Sequence, residues 1–200
     1  MKYNELITKI KNPIFSLQDL KILDLKVYPY QLSNWVDKKY LIRLKNGLYV
    51  ISIRKENLKN EFIAYNLYQP SYVSLEWVLA KYGLIPEIIY NCTSITNKTT
   101  RTFKNAFGAF IFRHLKKELF FGYKEEIDNN QTYLIAEPEK ALLDYLYLNS
   151  SKINNQDDVD GLRFNHSSLK ELDYKKIKRY SRKFNSKKLE KILNLIFKSN

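Results

Sequence analysis

Apolar positions recur at helical intervals near the start of the chain and then switch to alternation. Leu6, Ile7 and Ile10 face one side of a short first helix that Pro13 ends. Ser16 and Asp19 form a capping box for a second helix, with Phe15 and Leu20 at hydrophobic-staple spacing and Leu17, Leu20 and Leu23 near one face. Pro29 suits the first turn of a third helix. On it Tyr28, Leu32, Trp35, Val36 and the stem of Lys39 gather on one side, and Tyr30, Gln31, Asn34, Asp37 and Lys38 on the other. A hairpin follows. Ile42 and Leu44 alternate with Arg43 and Lys45, Asn46-Gly47 signals a type I′ turn, and Leu48-Tyr49-Val50-Ile51 returns. That turn pairs Lys45 with Leu48 and Leu44 with Tyr49. Arg43 and Lys45 then share a face opposite Ile42, Leu44, Tyr49 and Ile51.

Beyond a polar link at Arg54-Lys55-Glu56-Asn57, Leu58, Phe62 and Tyr65 mark a helix that stops before Pro70. Ser74 can cap the next helix, whose Leu75, Val78, Leu79 and Tyr82 share a stripe and which Gly83 terminates. Strand-like runs follow at Ile88–Thr96, Gly108–Phe112, Leu119–Tyr123 and Thr132–Ala136, the last after a turn at Asp128-Asn129-Asn130-Gln131. Glu137-Pro138 opens a helix that buries Ala141, Leu142, Tyr145 and Leu146. Ser150 to Ser168 is polar and reads as a loop. Asp173 then caps a helix carrying Ile177, Tyr180 and Phe184, and a final helix carries Leu189, Ile192, Leu193 and Ile196.

The fold class expected is α+β: an N-terminal winged helix-turn-helix, a mixed α/β body and C-terminal helices. The boundaries fall at 1–55 for the winged helix and 56–200 for the body, with a helical tail from about 167. Charge sharpens this division. The chain carries a net charge of +13, and residues 1–55 hold eleven Lys/Arg against four Asp/Glu. Residues 56–150 hold ten against eleven, and residues 151–200 thirteen against six. A near-neutral body between basic ends favours a polyanionic partner, with double-stranded DNA first. Tyr30, Gln31, Asn34 and Lys38 on the third helix are the candidates for base or groove contacts, and Arg43, Lys45 and Asn46 on the wing for the backbone. The alternative is a small helical domain that binds protein. Lys98, Arg101, Lys104, Arg113, His114, Lys116 and Lys117 form a second candidate surface, for nucleic acid or an acidic partner; the plainer reading is a solvated sheet face. Lys175, Lys176, Lys178, Arg179, Arg182 and Lys183 form a third, with solubility as its plainer reading.

Composition and motifs argue against several chemistries. The one cysteine, Cys92, excludes an intramolecular disulfide and a Cys-rich zinc site, and His114 and His166 lie far apart in sequence. Neither GxxxxGK, GxGxxG nor Gly-x-Ser-x-Gly occurs. Cys92 sits in a strand-like run without a histidine nearby in sequence and reads as a structural thiol. Glu137, Glu139 and Lys140 lack nuclease spacing, and Asp158-x-Asp160 has no preceding Gly-Ser strand-turn. No catalytic residue, metal or cofactor is assigned. No apolar run approaches the ~20 residues of a membrane-spanning helix. The opening Met1-Lys2-Tyr3-Asn4-Glu5 has no signal-peptide core, so the expected location is cytoplasmic.

The stretch Tyr72-Val73-Ser74-Leu75-Glu76-Trp77-Val78-Leu79-Ala80-Lys81-Tyr82-Gly83-Leu84-Ile85-Pro86-Glu87 resembles the signature of the AbiEi-type antitoxins of type IV toxin–antitoxin systems, also described as predicted transcriptional regulators of viral defence systems. Lys45-Asn46-Gly47-Leu48-Tyr49 resembles the family's wing, and Thr93-Ser94-Ile95-Thr96 with Arg101 and Phe103 its strand. Ile135-Ala136-Glu137-Pro138-Glu139-Lys140-Ala141-Leu142-Leu143-Asp144 resembles its closing helix. These motifs keep the family's order from about Leu20 to Asn149. The resemblance implies a bifunctional protein. Its winged helix represses its own promoter, usually at inverted repeats, and the remainder counters a nucleotidyltransferase toxin without needing a stable complex. The alternative is a stand-alone DNA-binding regulator, or a module that binds a toxin directly.

Overall fold

Along the first part of the chain run α1 (Tyr3–Lys9), β1 (Ile14–Ser16), α2 (Leu17–Ile22), α3 (Pro29–Asp37), β2 (Leu41–Lys45) and β3 (Leu48–Ile51). These come from a computed structural model, which describes residues 1–198. The capping box forms: Asp19 N–H donates to Ser16 Oγ at 3.2 Å and Ser16 N–H to Asp19 Oδ2 at 2.6 Å. Strand β1 is absent from the sequence reading, because three residues are too few for alternation to show. It pairs antiparallel with β3, so the sheet runs β1-β3-β2. Helix α2 buries Leu20 alone; Leu17 and Leu23 are 44% and 47% exposed, against the shared face expected of them. At six residues, α2 is too short to turn a full stripe inward.

Strand β3 is buried on both faces. Tyr49 and Ile51 pack with Phe15, Leu41, Leu6, Leu32 and Trp35. Leu48 and Val50, with Ile14 and Leu44, join the larger core of the rest of the chain. Doubly covered strands carry continuous apolar runs, as Leu48-Tyr49-Val50-Ile51 does.

The body begins with α4 (Asn60–Leu67), β4 (Ser71–Val73) and α5 (Glu76–Lys81). It continues through β5 (Cys92–Thr96), β6 (Arg101–Asn105), β7 (Gly108–His114), β8 (Tyr123–Asp128), β9 (Gln131–Ala136) and α6 (Pro138–Asn149). Its six-stranded sheet runs β6-β7-β5-β4-β9-β8, with β4/β9 and β5/β7 parallel and the other neighbours antiparallel. Two strand expectations are corrected and one strand is added. The first strand starts only at Cys92, leaving Ile88 and Tyr90 at 79% and 82% exposure in an irregular segment. Lys117–Leu119 is a 3-10 turn, and the strand near it runs Tyr123–Asp128 instead. Strand β6 is an addition; as an edge strand its side chains are exposed or half-buried, so it lacks apolar alternation.

Register fixes which side chains share a face. Val73 lies opposite Ser94, which pairs with Phe112, which pairs with Arg101. Tyr68, just past α4, meets Phe103 and Phe112 on that side. On the other side, Tyr72 and Ser74 reach α6. Ser74 therefore does not cap α5 as expected: its hydroxyl donates to Asp144, and Leu75 stands at the N-cap with φ 62°. Gly83 has the left-handed φ, 65°, that its place after α5 requires.

The chain closes with α7 (Gln156–Asp160), α8 (His166–Lys170), α9 (Tyr174–Phe184) and α10 (Lys187–Lys198). The loop expected from Ser150 to Ser168 contains α7 and the start of α8. Asn155 Oδ1 accepts from Asp158 N–H at 2.9 Å and Asn165 Oδ1 from Ser167 N–H at 3.0 Å. The polar residues that suggested a loop are helix caps. Asp173 caps α9 as expected, accepting from Lys176 N–H at 3.0 Å.

Candidate nucleic-acid interface

Helix α3 is anchored by buried Leu32 and Trp35 and leaves Tyr30, Asn34, Asp37 and Lys38 exposed. Tyr30 is 70% exposed, and its ring stacks on Tyr28 at 5.9 Å. Tyr28, expected inward, is 55% exposed. As the N-cap residue it precedes the helical turns and so escapes the buried stripe. Gln31 stands apart from the other candidates. Its Oε1 accepts from Tyr28 N–H at 3.0 Å and its Nε2 donates to the Met1 carbonyl at 2.8 Å. Half-buried and occupied at both ends, it caps α3 and ties down the N-terminus rather than projecting outward.

The hairpin corrects the expected register. Lys45 pairs with Leu48 as anticipated, but Tyr49 pairs with Arg43, and a bulge intervenes between Arg43 and Lys45. Of the turn pair only Gly47 has a positive φ, 77°, so the turn is not type I′. The bulge separates the two cations. Arg43 stays exposed over the Tyr49 ring at 5.9 Å. Lys45 takes the face of Leu48, toward the body. Its Nζ donates to the Leu67 carbonyl at the end of α4 at 2.5 Å and lies 5.8 Å from the Phe103 ring. Burial lowers its pKa, and the nearby charges of Lys98 and Arg101 lower it further. Asn46, at the tip, is exposed.

The second candidate surface divides between two sheet faces. Arg101 lies in the row of Phe112, whereas Lys104 pairs with Ala109 and Arg113 with Ile95, in the rows that point the other way. Lys98 and Arg101 meet at Tyr68, each 5.6 Å from its ring. Lys98 Nζ donates to the Gln69 carbonyl, and His114 Nδ1 lies 2.9 Å from the Lys98 carbonyl oxygen. Lys116 and Lys117 are exposed just beyond β7. On α9, Lys175, Lys178, Arg179, Arg182 and Lys183 are exposed without an ion-pair partner among the described residues. Lys176, grouped with them in sequence, instead bridges Glu137 at 2.9 Å and Glu139 at 3.2 Å.

Two arrangements were not anticipated. Arg54 holds the end of α1, its guanidinium donating to the carbonyls of Ile7 at 2.8 Å, Ile10 at 2.6 Å and Lys11 at 3.0 Å. Inside the body, Lys140 and Asp144 form an ion pair with no solvent exposure. Asp144 accepts from the hydroxyls of Tyr72 and Ser74, both at 2.9 Å, and Lys140 donates to Tyr72 Oη at 2.8 Å. Burial pushes Lys140 down and Asp144 up, and each is opposed by the other's charge. The i, i+4 spacing of opposite charges inside a buried stripe was the signal available in the sequence. All four residues, Tyr72, Ser74, Lys140 and Asp144, are buried, so their polar atoms need one another.

Cys92 is buried in β5, and burial pushes its thiol well up. Among the described residues no three His, Cys, Asp or Glu side chains are grouped to hold a metal ion, and no helix is long and apolar enough to cross a membrane. No protein-family model matches the chain, and neither does any curated protein.

Proposed function

We propose that this chain is a DNA-binding autorepressor and antitoxin of the AbiEi type, in which residues 1–55 act as a winged helix-turn-helix and residues 56–200 as the antitoxin-type domain. The observation that carries the reading is the exposed side of α3. It bears Tyr30, Asn34 and Lys38, while Leu32 and Trp35 fix the helix from behind. The order α1-β1-α2-α3-β2-β3 with a β1-β3-β2 sheet supports the winged-helix reading, in which the third helix enters the major groove. Arg43 and Asn46 then lie on the wing, available to the phosphate backbone. Asp37 on the same side of α3 opposes phosphate and confines the approach to the flanking positions.

The antitoxin half of the reading rests on the resemblance, and the buried network gives its motifs a physical role. Tyr72 and Ser74 come from one motif, Lys140 and Asp144 from another, and together they pin β4 to α6. In this reading they hold the body together. The partner in function is a nucleotidyltransferase toxin.

Electrophoretic mobility shift on the chain's own upstream promoter at low salt tests the reading. Retardation at inverted repeats is expected; no binding at any repeat-containing fragment overturns it. A second reading, a module that grips a toxin directly, is favoured by the exposed cations of α9. Co-purification of the neighbouring gene product, lost on replacing Arg179 and Arg182 by Ala, decides for it.

A further inference from the structure

Lys45 from β2, Lys98 from the β5–β6 loop and Arg101 from β6 converge on one aromatic shelf. Tyr68 lies under Lys98 and Arg101, and Phe103 lies under Arg101 at 5.9 Å and Lys45 at 5.8 Å. The rings and two backbone carbonyls, of Leu67 and Gln69, hold the cationic groups in place. Neither carbonyl carries a full charge, and each ammonium has further N–H donors free. Among the described residues, none of these cations has a carboxylate within ion-pair distance. The like charges crowd closely enough for Lys98 and Arg101 to depress Lys45. Such crowding is unfavourable unless an anion joins it.

The surroundings suit a doubly liganded oxyanion. Thr99, Thr100 and Asn97 line a shallow depression with Lys98, Tyr68 and His114, so hydroxyl and amide donors flank Lys98. The depression is open, which suits a phosphate on a polymer running past it. The location joins it to the wing. Lys45 ends β2 beside the exposed Asn46 turn, and Asn105 of β6 donates to the Leu44 carbonyl at 3.4 Å.

We propose that Lys45, Lys98 and Arg101 form a phosphate subsite at the joint between the wing hairpin and the six-stranded sheet, occupied by backbone phosphates of a DNA duplex. This rests on the DNA-binding reading above and enlarges it. The body takes part in the duplex contact, and the footprint extends past the wing tip.

Affinity for the promoter duplex, measured across a salt series by fluorescence anisotropy, tests it. The Lys98→Ala/Arg101→Ala double variant should lower the slope of log K against log salt by about two, since each phosphate contact contributes about 0.9. A Lys104→Ala/Arg113→Ala variant removes the same charge from the other sheet face and should leave the slope near the wild-type value. If the first variant keeps the wild-type slope, or both variants lose it equally, the subsite is overturned while the DNA-binding reading stands. If the wild-type chain binds no duplex, both fall together. Should the double variant not fold, Arg101→Gln alone should lower the slope by about one, and an unchanged slope overturns the proposal.

Discussion

Lys140 and Asp144 face each other one turn apart on α6 with no exposure to solvent, and the Tyr72 hydroxyl bonds to both. Removing one partner leaves the other charge enclosed among Phe121, Phe184 and Tyr72, whose rings lie 5.0 to 5.3 Å from Lys140 Nζ. Asp144→Ala should therefore cost about 3–5 kcal/mol of unfolding free energy. Chemical denaturation followed by circular dichroism measures it. Asp144→Asn, which keeps an acceptor for Tyr72 and Ser74, should cost less.

Arg54 is the fastener between the segment after β3 and the end of α1. The carbonyls of Ile7, Ile10, Lys11 and Asn12 lose a charged donor in Arg54→Ala, and hydrogen bonds to charged groups contribute about 1.5–3 kcal/mol. A loss of about 2 kcal/mol is expected, with amide hydrogen exchange in α1 accelerated ahead of the body. Arg54→Lys should not restore it, because one ammonium cannot span carbonyls arranged for a guanidinium fork.

On duplex DNA, Asn34→Ala and Arg43→Ala should separate. Asn34 stands on α3, so its loss should narrow the gap between operator and mutated operator by about 1–3 kcal/mol at one base pair. Arg43 stands exposed on the β2–β3 hairpin, so its loss should weaken binding to every sequence alike and flatten the salt dependence by about one unit. Competition binding with operator and scrambled duplexes reads both. Gln31→Ala should act differently again, lowering stability through the lost cap on α3.

Stability should fall on the acid side. For Glu137, burial alone would raise the carboxyl, but hydrogen bonds from Lys176 and Tyr180 outweigh it and hold the pKa below the usual 4.5. Glu126 follows the same pattern through Lys81 and Tyr133. A carboxyl depressed in the folded state contributes above its unfolded pKa and loses that contribution as pH falls through the folded one. Melting temperature should be flat above about pH 5 and decline below about 4.5, and Glu137→Gln should shrink the decline.

Long amphipathic elements were legible in the sequence. The third helix and the last two were placed by spacing and caps, and the anchors Leu32, Trp35, Ile177 and Leu189 are buried as their positions demanded. Short or edge elements were not. Strands β1 and β6 carry too little alternation, and α7 and α8 lie in polar runs whose asparagines serve as caps. The β2–β3 hairpin was legible in its existence but not in its detail. A single bulged residue turned Lys45 toward the body while Arg43 remained outside. Nor could one sequence reveal that Lys98 and Arg101 share a face that excludes Lys104 and Arg113; that separation is set by strand pairing over long range.

The double covering of β3 also bears on how the chain can be handled. Ile14, Leu44, Leu48 and Val50 belong by position to the N-terminal part but lend their side chains to the larger core. A fragment cut just after Lys55 would lay that row bare, and bare aliphatic rows stick to one another. The two parts are thus bound to a common fate: the portion that would read DNA stays well dispersed only while the remainder shields it.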